Sequence, residues 1–357
     1  MNIAIRTDAS LKIGTGHVMR CLTLASELKK LGAKVDFICR AHDGNLIERI
    51  QHDGYVVHSL AIDPQFQQGQ SLLPHADWLG ATQNEDAKLC TSILKRLRTD
   101  WVIVDHYSID IKWENEIRDS VKRIMVIDDL ADRKHHCDLL LDQNLGRVPS
   151  DYSCLVPDIC SVFLGPSNAL IREEFWNLRY KRKKNINKHK PNILIFFGGI
   201  DIYDYTSRTI LLLHSIGLTN IDVVIGGNNI NQEKIKGKCN EMNYNCHIET
   251  NQMERLMQES DMYIGAGGCT ILERIITRLP SVTIAVAENQ IDPLKFLAQK
   301  GACIYLGNGK MLSDTTFKES ILRALNEINT LTNNCEALCE EFFSERPQWL
   351  PKLFIKQ

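Results

Sequence analysis

Residues 14–17 read Gly-Thr-Gly-His, and the histidine stands where a short apolar run gives way to a helical pattern. An imidazole at the start of a helix meets the positive end of the dipole, which disfavours its cation. A neutral ring can take a proton from water. His17 is therefore a candidate general base; a histidine that caps its own helix or packs beneath a loop is the other possibility these residues allow. Asp105, His106 and Tyr107 close the apolar run "WVIVDHY", at a strand end of the kind where α/β sites collect. For His106 and Tyr107 the residues alone leave catalytic and structural roles open.

A second glycine turn lies in "YIGAGGCTILERIITRLPSV", with Gly265, Gly267 and Gly268 between a strand and a helix. Backbone N–H groups of such a turn, together with the helix dipole, favour a pyrophosphate. Glu273, about one turn into the helix, could accept hydrogen bonds from two ribose hydroxyls. An ordinary glycine-rich turn beside a solvated glutamate is the alternative.

Other chemistries find no support. "GTGHVM" begins like a dinucleotide fingerprint, but Met19 occupies the place of its third glycine, and Asp36 falls inside a strand rather than at its end. No G-x-x-x-x-G-K-[ST] and no D-x-D occurs. The 12 cysteines are scattered without a C-x-x-C, as expected of small buried hydrophobes in a reducing compartment. His135-His136-Cys137 has no second ligand pair at zinc spacing, so neither a metal nor a cofactor is expected.

The elements that must carry these residues alternate. Strands "MNIAIRTD", "AKVDFICR", "YVVHSL", "WVIVDHY", "IMVIDD" and "DLLLDQN" are interleaved with helices such as "HVMRCLTLASELKKLG". The alternation restarts at "ILIFFGG" after the basic, polar stretch 179–192. Two α/β halves with parallel sheets follow. The expected domains are 1–178, with the base and sugar pocket, and 193–357, ending in a helical tail, joined by a linker at 179–192. The net charge of -2 on 357 residues gives no reason to expect nucleic acid. No apolar stretch reaches the ~18 residues of a membrane span, and "MNIAIRTDAS" lacks the pattern of a signal peptide, so a cytoplasmic protein with no membrane partner is expected.

The stretch around Gly265, Gly268, Glu273 and Pro280 resembles the nucleotide-sugar half of the GT-B fold, in which such a turn and helix glutamate hold a UDP moiety. More closely, "IRTDASLKIGTGHVMRCLTLA", "VDHY", "IDDLADRKHHCDLLLDQN", "YSCLVP", "ALIREEF", "FFGGID", "GAGGCTILE" and "ENQ" are similar to the UDP-2,4-diacetamido-2,4,6-trideoxy-β-L-altropyranose hydrolases of pseudaminic acid biosynthesis. The resemblance runs from residue 5 to about residue 290. It implies a GT-B-like α/β fold, two Rossmann-like, doubly wound parallel-sheet domains facing across a cleft. It also implies a metal-independent hydrolase whose partner is a UDP-sugar. Water would attack the anomeric carbon with inversion and release UDP. His17 matches the family's general base and Tyr107 a tyrosine near the reactive centre. Gly14 would shape the loop around His17, and Arg172 would face the substrate. Gly267, Gly268 and Glu273 would bind diphosphate and ribose, with Asn289 and Gln290 at the sugar or phosphate end and uracil near residues 250–253. A GT-B glycosyltransferase using the same donor, or a nucleotide-sugar-binding module without chemistry, are the competing expectations.

Overall fold

A computed structural model describes residues 1–63, 66, 73–181, 190–268 and 270–350. The chain forms two compact units, one of residues 1–170 joined by residues from 346 onward, the other of residues 171–345. The division thus falls earlier than the composition break suggested. The cause is α5 (Glu173–Leu178), whose buried Phe175, Trp176 and Leu178 belong to the second unit. Most of the expected linker, 182–189, lies outside the described residues.

In the first unit the order is β1 (Asn2–Thr7), α1 (Gly16–Lys30), β2 (Lys34–Arg40), α2 (Ile47–His52), β3 (Val56–Leu60), α3 (Gln83–Leu97), β4 (Trp101–Asp105), α4 (Ile111–Ile117), β5 (Arg123–Ile127), β6 (Leu139–Asp142) and β7 (Ser161–Leu164). The strands form one parallel sheet in the order β3-β2-β1-β4-β5-β6-β7. Alternate residues face opposite layers. Ile3, Ile5, Phe37 and Ile103 enter one core, and Ala4, Ile38, Val102 and Val104 the other. α3 opens on a capping box, Thr82 accepting from Glu85 N–H at 3.2 Å while the Glu85 carboxylate accepts from Thr82 N–H at 3.0 Å. Trp349, near the chain's end, packs on Phe163 of this unit at 5.4 Å between ring centroids. The helical tail therefore stops short of residue 346.

The second unit continues with β8 (Ile193–Phe196), α6 (Tyr205–Ser215), β9 (Ile221–Ile225), α7 (Gln232–Met242), β10 (Asn245–Ile248), α8 (Met253–Glu259), β11 (Met262–Ala266), α9 (Thr270–Ile276), β12 (Ser281–Ala285), α10 (Ile291–Gln299), β13 (Cys303–Asn308), α11 (Asp314–Asn326) and α12 (Ile328–Phe342). Its parallel sheet runs β10-β9-β8-β11-β12-β13. In each sheet the strand order reverses once, between β1 and β4 and between β8 and β11. Ligands of open α/β sheets bind beyond the strand ends at such points. The loops there carry His17 and the Gly267–Gly268 turn.

Candidate active site

Beyond the β1/β4 reversal, the chain leaves β1, folds back through a bridge between Ser10 and Gly14, and enters α1. Gly14 has φ +81°, a conformation that disfavours any side chain. The turn delivers His17 as the second residue of α1, 8% exposed. Its Nδ1 lies 2.6 Å from Oδ1 of Asp105, the last residue of β4. Arg20, one turn further along α1, grips the same carboxylate through Nε and one terminal nitrogen, both at 2.6 Å. Burial alone would raise the Asp105 pKa; the Arg20 and His17 charges outweigh it and hold the group well below the ordinary carboxylate range.

An ionised Asp105 fixes the histidine tautomer. Arg20 also approaches Nδ1, at 3.3 Å, but the 2.6 Å contact with the carboxylate is the shorter and requires a proton on Nδ1. Nε2 of the neutral ring is then the basic nitrogen. The carboxylate beside the ring opposes the helix dipole, so the dipole argument from sequence covers only part of the electrostatics.

Tyr107 stands edge-on to the imidazole, ring centroids 4.5 Å apart. Its hydroxyl donates to Asp129 at 2.7 Å, and the ring is walled by His75 at 5.5 Å and Trp78 at 5.8 Å. His106 turns the other way. Its Nδ1 accepts from Ser108 N–H at 3.1 Å and its Nε2 faces Asp8 at 3.2 Å, within a buried lattice of Arg6, Asp8, Asp86 and Arg40. Burial lowers its pKa against the opposing pull of Asp8. Nδ1 is thus committed to the fold by a hydrogen bond, and Nε2 lies buried against the Asp8 carboxylate, turned away from His17.

In the second unit the glycines divide by what surrounds them. A Cβ on Gly265 would sit 1.8 Å from the Phe196 carbonyl oxygen, and one on Gly267 2.5 Å from the Leu294 side chain. Both are required by packing. At Gly268 the nearest atom is Gln290 Nε2, at 3.9 Å, so the missing side chain leaves space that packing does not claim. Gln290 Oε1 is occupied by Val286 N–H at 3.0 Å, while Asn289 is exposed. Glu273 is not solvated: Oε1 accepts from Arg172 Nε at 2.9 Å and from its terminal nitrogen at 2.8 Å. Arg172, expected to face the substrate, pairs with the candidate ribose ligand. Burial raises the Glu273 pKa, and Arg172 opposes it.

The fold thus gathers His17, Asp105 and Tyr107 in one unit and Arg172, Glu273, Gly268 and Gln290 in the other. Sequence reasoning passed over Arg20 and Asp129. The signals were an arginine three residues after His17 on one helix face, and an "IDD" ending a strand two places from the sheet reversal. His135 and His136 take separate partners, Glu114 at 2.6 Å and Asn115 at 2.5 Å. Cys137 and Cys160 approach to 3.6 Å between sulfurs, and most other described cysteines are buried. Among the described residues, no helix is long and apolar enough to cross a membrane.

Residues 204–346 match the glycosyltransferase family 28 C-terminal domain. A UDP-2,4-diacetamido-2,4,6-trideoxy-β-L-altropyranose hydrolase of Campylobacter jejuni is 28% identical over 303 residues, 84% of this chain and 97% of that protein. The spore coat polysaccharide biosynthesis protein SpsG of Bacillus subtilis is 22% identical, over 91% of this chain and 89% of its own. Among solved structures, Acinetobacter baumannii MurG superimposes with a TM-score of 0.65 at 15% identity, covering 100% of this chain and 99% of its own. The spinosyn rhamnosyltransferase SpnG gives 0.66 at 13%, covering 99% and 100%. Two parallel-sheet α/β units and these neighbours make the fold GT-B-like, and along most of its length the chain resembles the Campylobacter hydrolase.

Proposed function

We propose that the chain is an enzyme acting on nucleotide sugars and, more narrowly, that it hydrolyses UDP-2,4-diacetamido-2,4,6-trideoxy-β-L-altropyranose. The observation that carries this is the His17–Asp105 contact of 2.6 Å at the sheet reversal, which leaves Nε2 of a neutral ring to accept a proton. In this account His17 Nε2 removes a proton from water as the oxygen attacks the anomeric carbon. The bond from that carbon to the diphosphate oxygen breaks, its electron pair leaves with UDP, and the free sugar forms with inverted configuration. Asp105 holds the tautomer and stabilises the imidazolium that forms, as an aspartate does for histidine bases generally. Tyr107, its hydroxyl spent on Asp129, walls the ring rather than exchanging protons. In the second unit Glu273 takes ribose hydroxyls, and the Gly267–Gly268 turn with Asn289 and Gln290 takes the diphosphate. Identity to the Campylobacter protein supports the substrate.

A second reading, transfer of the sugar to an acceptor, is favoured by the glycosyltransferase names of the structural neighbours. Both begin with the same donor. The discriminating experiment supplies purified protein with the UDP-sugar and water as the sole acceptor. Sustained release of UDP and free sugar is expected, and its loss in His17→Leu with UDP affinity intact. Turnover that begins only when an acceptor alcohol is added would establish transfer instead.

A further inference from the structure

We propose that Asp129 is a positioning residue for the His17 base, acting through Arg20 and Tyr107; this rests on the hydrolase reading. Asp129 follows β5 and has a side chain 10% exposed. Its Oδ2 accepts from Arg20 at 2.6 Å and from the Tyr107 hydroxyl at 2.7 Å. The remaining Arg20 contacts run to Asp105, which holds His17 Nδ1, and at 3.3 Å to that Nδ1 itself, and the Tyr107 ring meets the imidazole edge-on. Two arms therefore leave one carboxylate oxygen and converge on one ring, the first fixing the carboxylate that orients Nδ1, the second fixing the wall beside it.

The other oxygen, Oδ1, is buried with no hydrogen-bond partner among the described residues. A buried unpaired oxygen is costly. The loop does not need the carboxylate to hold its path: the Asp129 backbone carbonyl accepts from Asn144 Nδ2 at 3.0 Å and from Arg147 at 2.6 Å. The charged and titratable groups facing the ring and its supports include Arg20 and Cys21 from α1, Asp105 and His106 at the end of β4, His75 beyond Tyr107, and Arg133, 5.9 Å over the Tyr107 ring; Asp142 and Arg147 lie beside Asp129. Removing the Asp129 charge leaves Arg20 less compensated beside the imidazole, which disfavours the imidazolium.

The test is steady-state kinetics of the full chain, from about pH 5 to 9, on Asp129→Asn, Tyr107→Phe and the double variant. Expected for Asp129→Asn are a kcat lower by ~10- to 100-fold with KM within about threefold, and an acid limb of kcat/KM moved to lower pH. The two single losses should fall short of adding, since both groups act through one oxygen. Wild-type kcat and an unmoved acid limb in Asp129→Asn overturn the proposal. If that variant does not fold, Tyr107→Phe decides, because it removes only the hydroxyl; an unchanged kcat there overturns it. Absence of water-dependent UDP release by the wild type would sink the hydrolase reading instead. The His17 imidazole titration followed by NMR then carries the test: a midpoint lowered in Asp129→Asn supports the placement, and an unmoved one refutes it.

Discussion

Two nitrogens of Arg172 converge on a single oxygen of Glu273, at 2.9 and 2.8 Å. Burial raises the Glu273 pKa on balance and Arg172 opposes it, so the arginine favours the ionised form, the one able to accept from hydroxyls. Glu273→Ala should raise KM with little change in kcat. Two lost hydrogen bonds to a charged group correspond to ~2–4 kcal/mol, or roughly 30- to 1000-fold. An unchanged KM would remove ribose binding from this residue.

Arg172→Met tests the pair from its other side. Without the cation the Glu273 pKa moves further upward, so its ionised form is lost at a higher pH than in the wild type. The dissociation constant for UDP, measured by calorimetry at several pH values, should then worsen more steeply toward acid in the variant. Parallel pH curves for the two proteins would show that Arg172 does not support Glu273 electrostatically.

Asp105→Asn should separate tautomer from geometry. An amide can hold the ring yet no longer requires a proton on Nδ1, so kcat should fall ~10²–10⁴-fold while UDP binds normally. Stability offers a second readout. The folded-state pKa of Asp105 is depressed, so its contribution is fully present above the unfolded value of about 3.9 and lost as pH falls below it. The variant should therefore show a shallower loss of stability below about pH 4 in urea titrations. An acid-unfolding profile like that of the wild type would contradict the buried charge cluster.

His106→Asn should damage the fold and spare the chemistry. Its ring bridges Ser108 N–H and Asp8, and a buried partner left unmatched costs about 1–3 kcal/mol. Burial lowers this histidine's pKa, so the unfolded chain takes up its proton first. In the wild type this group therefore costs stability as pH falls below about 6.5, a loss the variant should lack. The fraction that folds should keep kcat within about fivefold. A fully folded variant slowed a hundredfold or more would move the base from His17 to His106.

Much of the architecture was legible because parallel strands buried on both faces read as apolar runs; "WVIVD" and "MYIGA" are buried throughout. Strands β7, β10 and β13 escaped notice because they lie at sheet edges and leave several residues half-exposed, which weakens their period, and β7 and β10 are only four residues long. The unit boundary was obscured for a different reason. Composition marks where the chain is polar, whereas the structure divides where Phe175 and Trp176 find their core. At the candidate site, His17 and Glu273 could be singled out because residue type and helix position carry the signal, whereas Tyr107, just beyond a strand end, was singled out by the family resemblance. Arg20, Asp105 and Asp129 take their meaning from contacts between residues up to 109 positions apart, which no local pattern contains. Arg172 was visible as a residue but not as the partner of Glu273, for the same reason.

The central claim is that His17 activates a water that attacks carbon. Turnover in ¹⁸O-labelled water, with the released UDP analysed by mass spectrometry, tests it most directly. UDP is the cleaner product to analyse, since the free sugar exchanges its anomeric hydroxyl with solvent. The account predicts unlabelled UDP and label confined to the sugar, because the oxygen leaving with UDP was already bonded to phosphorus. Label in the terminal phosphate of UDP would show attack at phosphorus and contradict the assignment of His17 to the anomeric carbon.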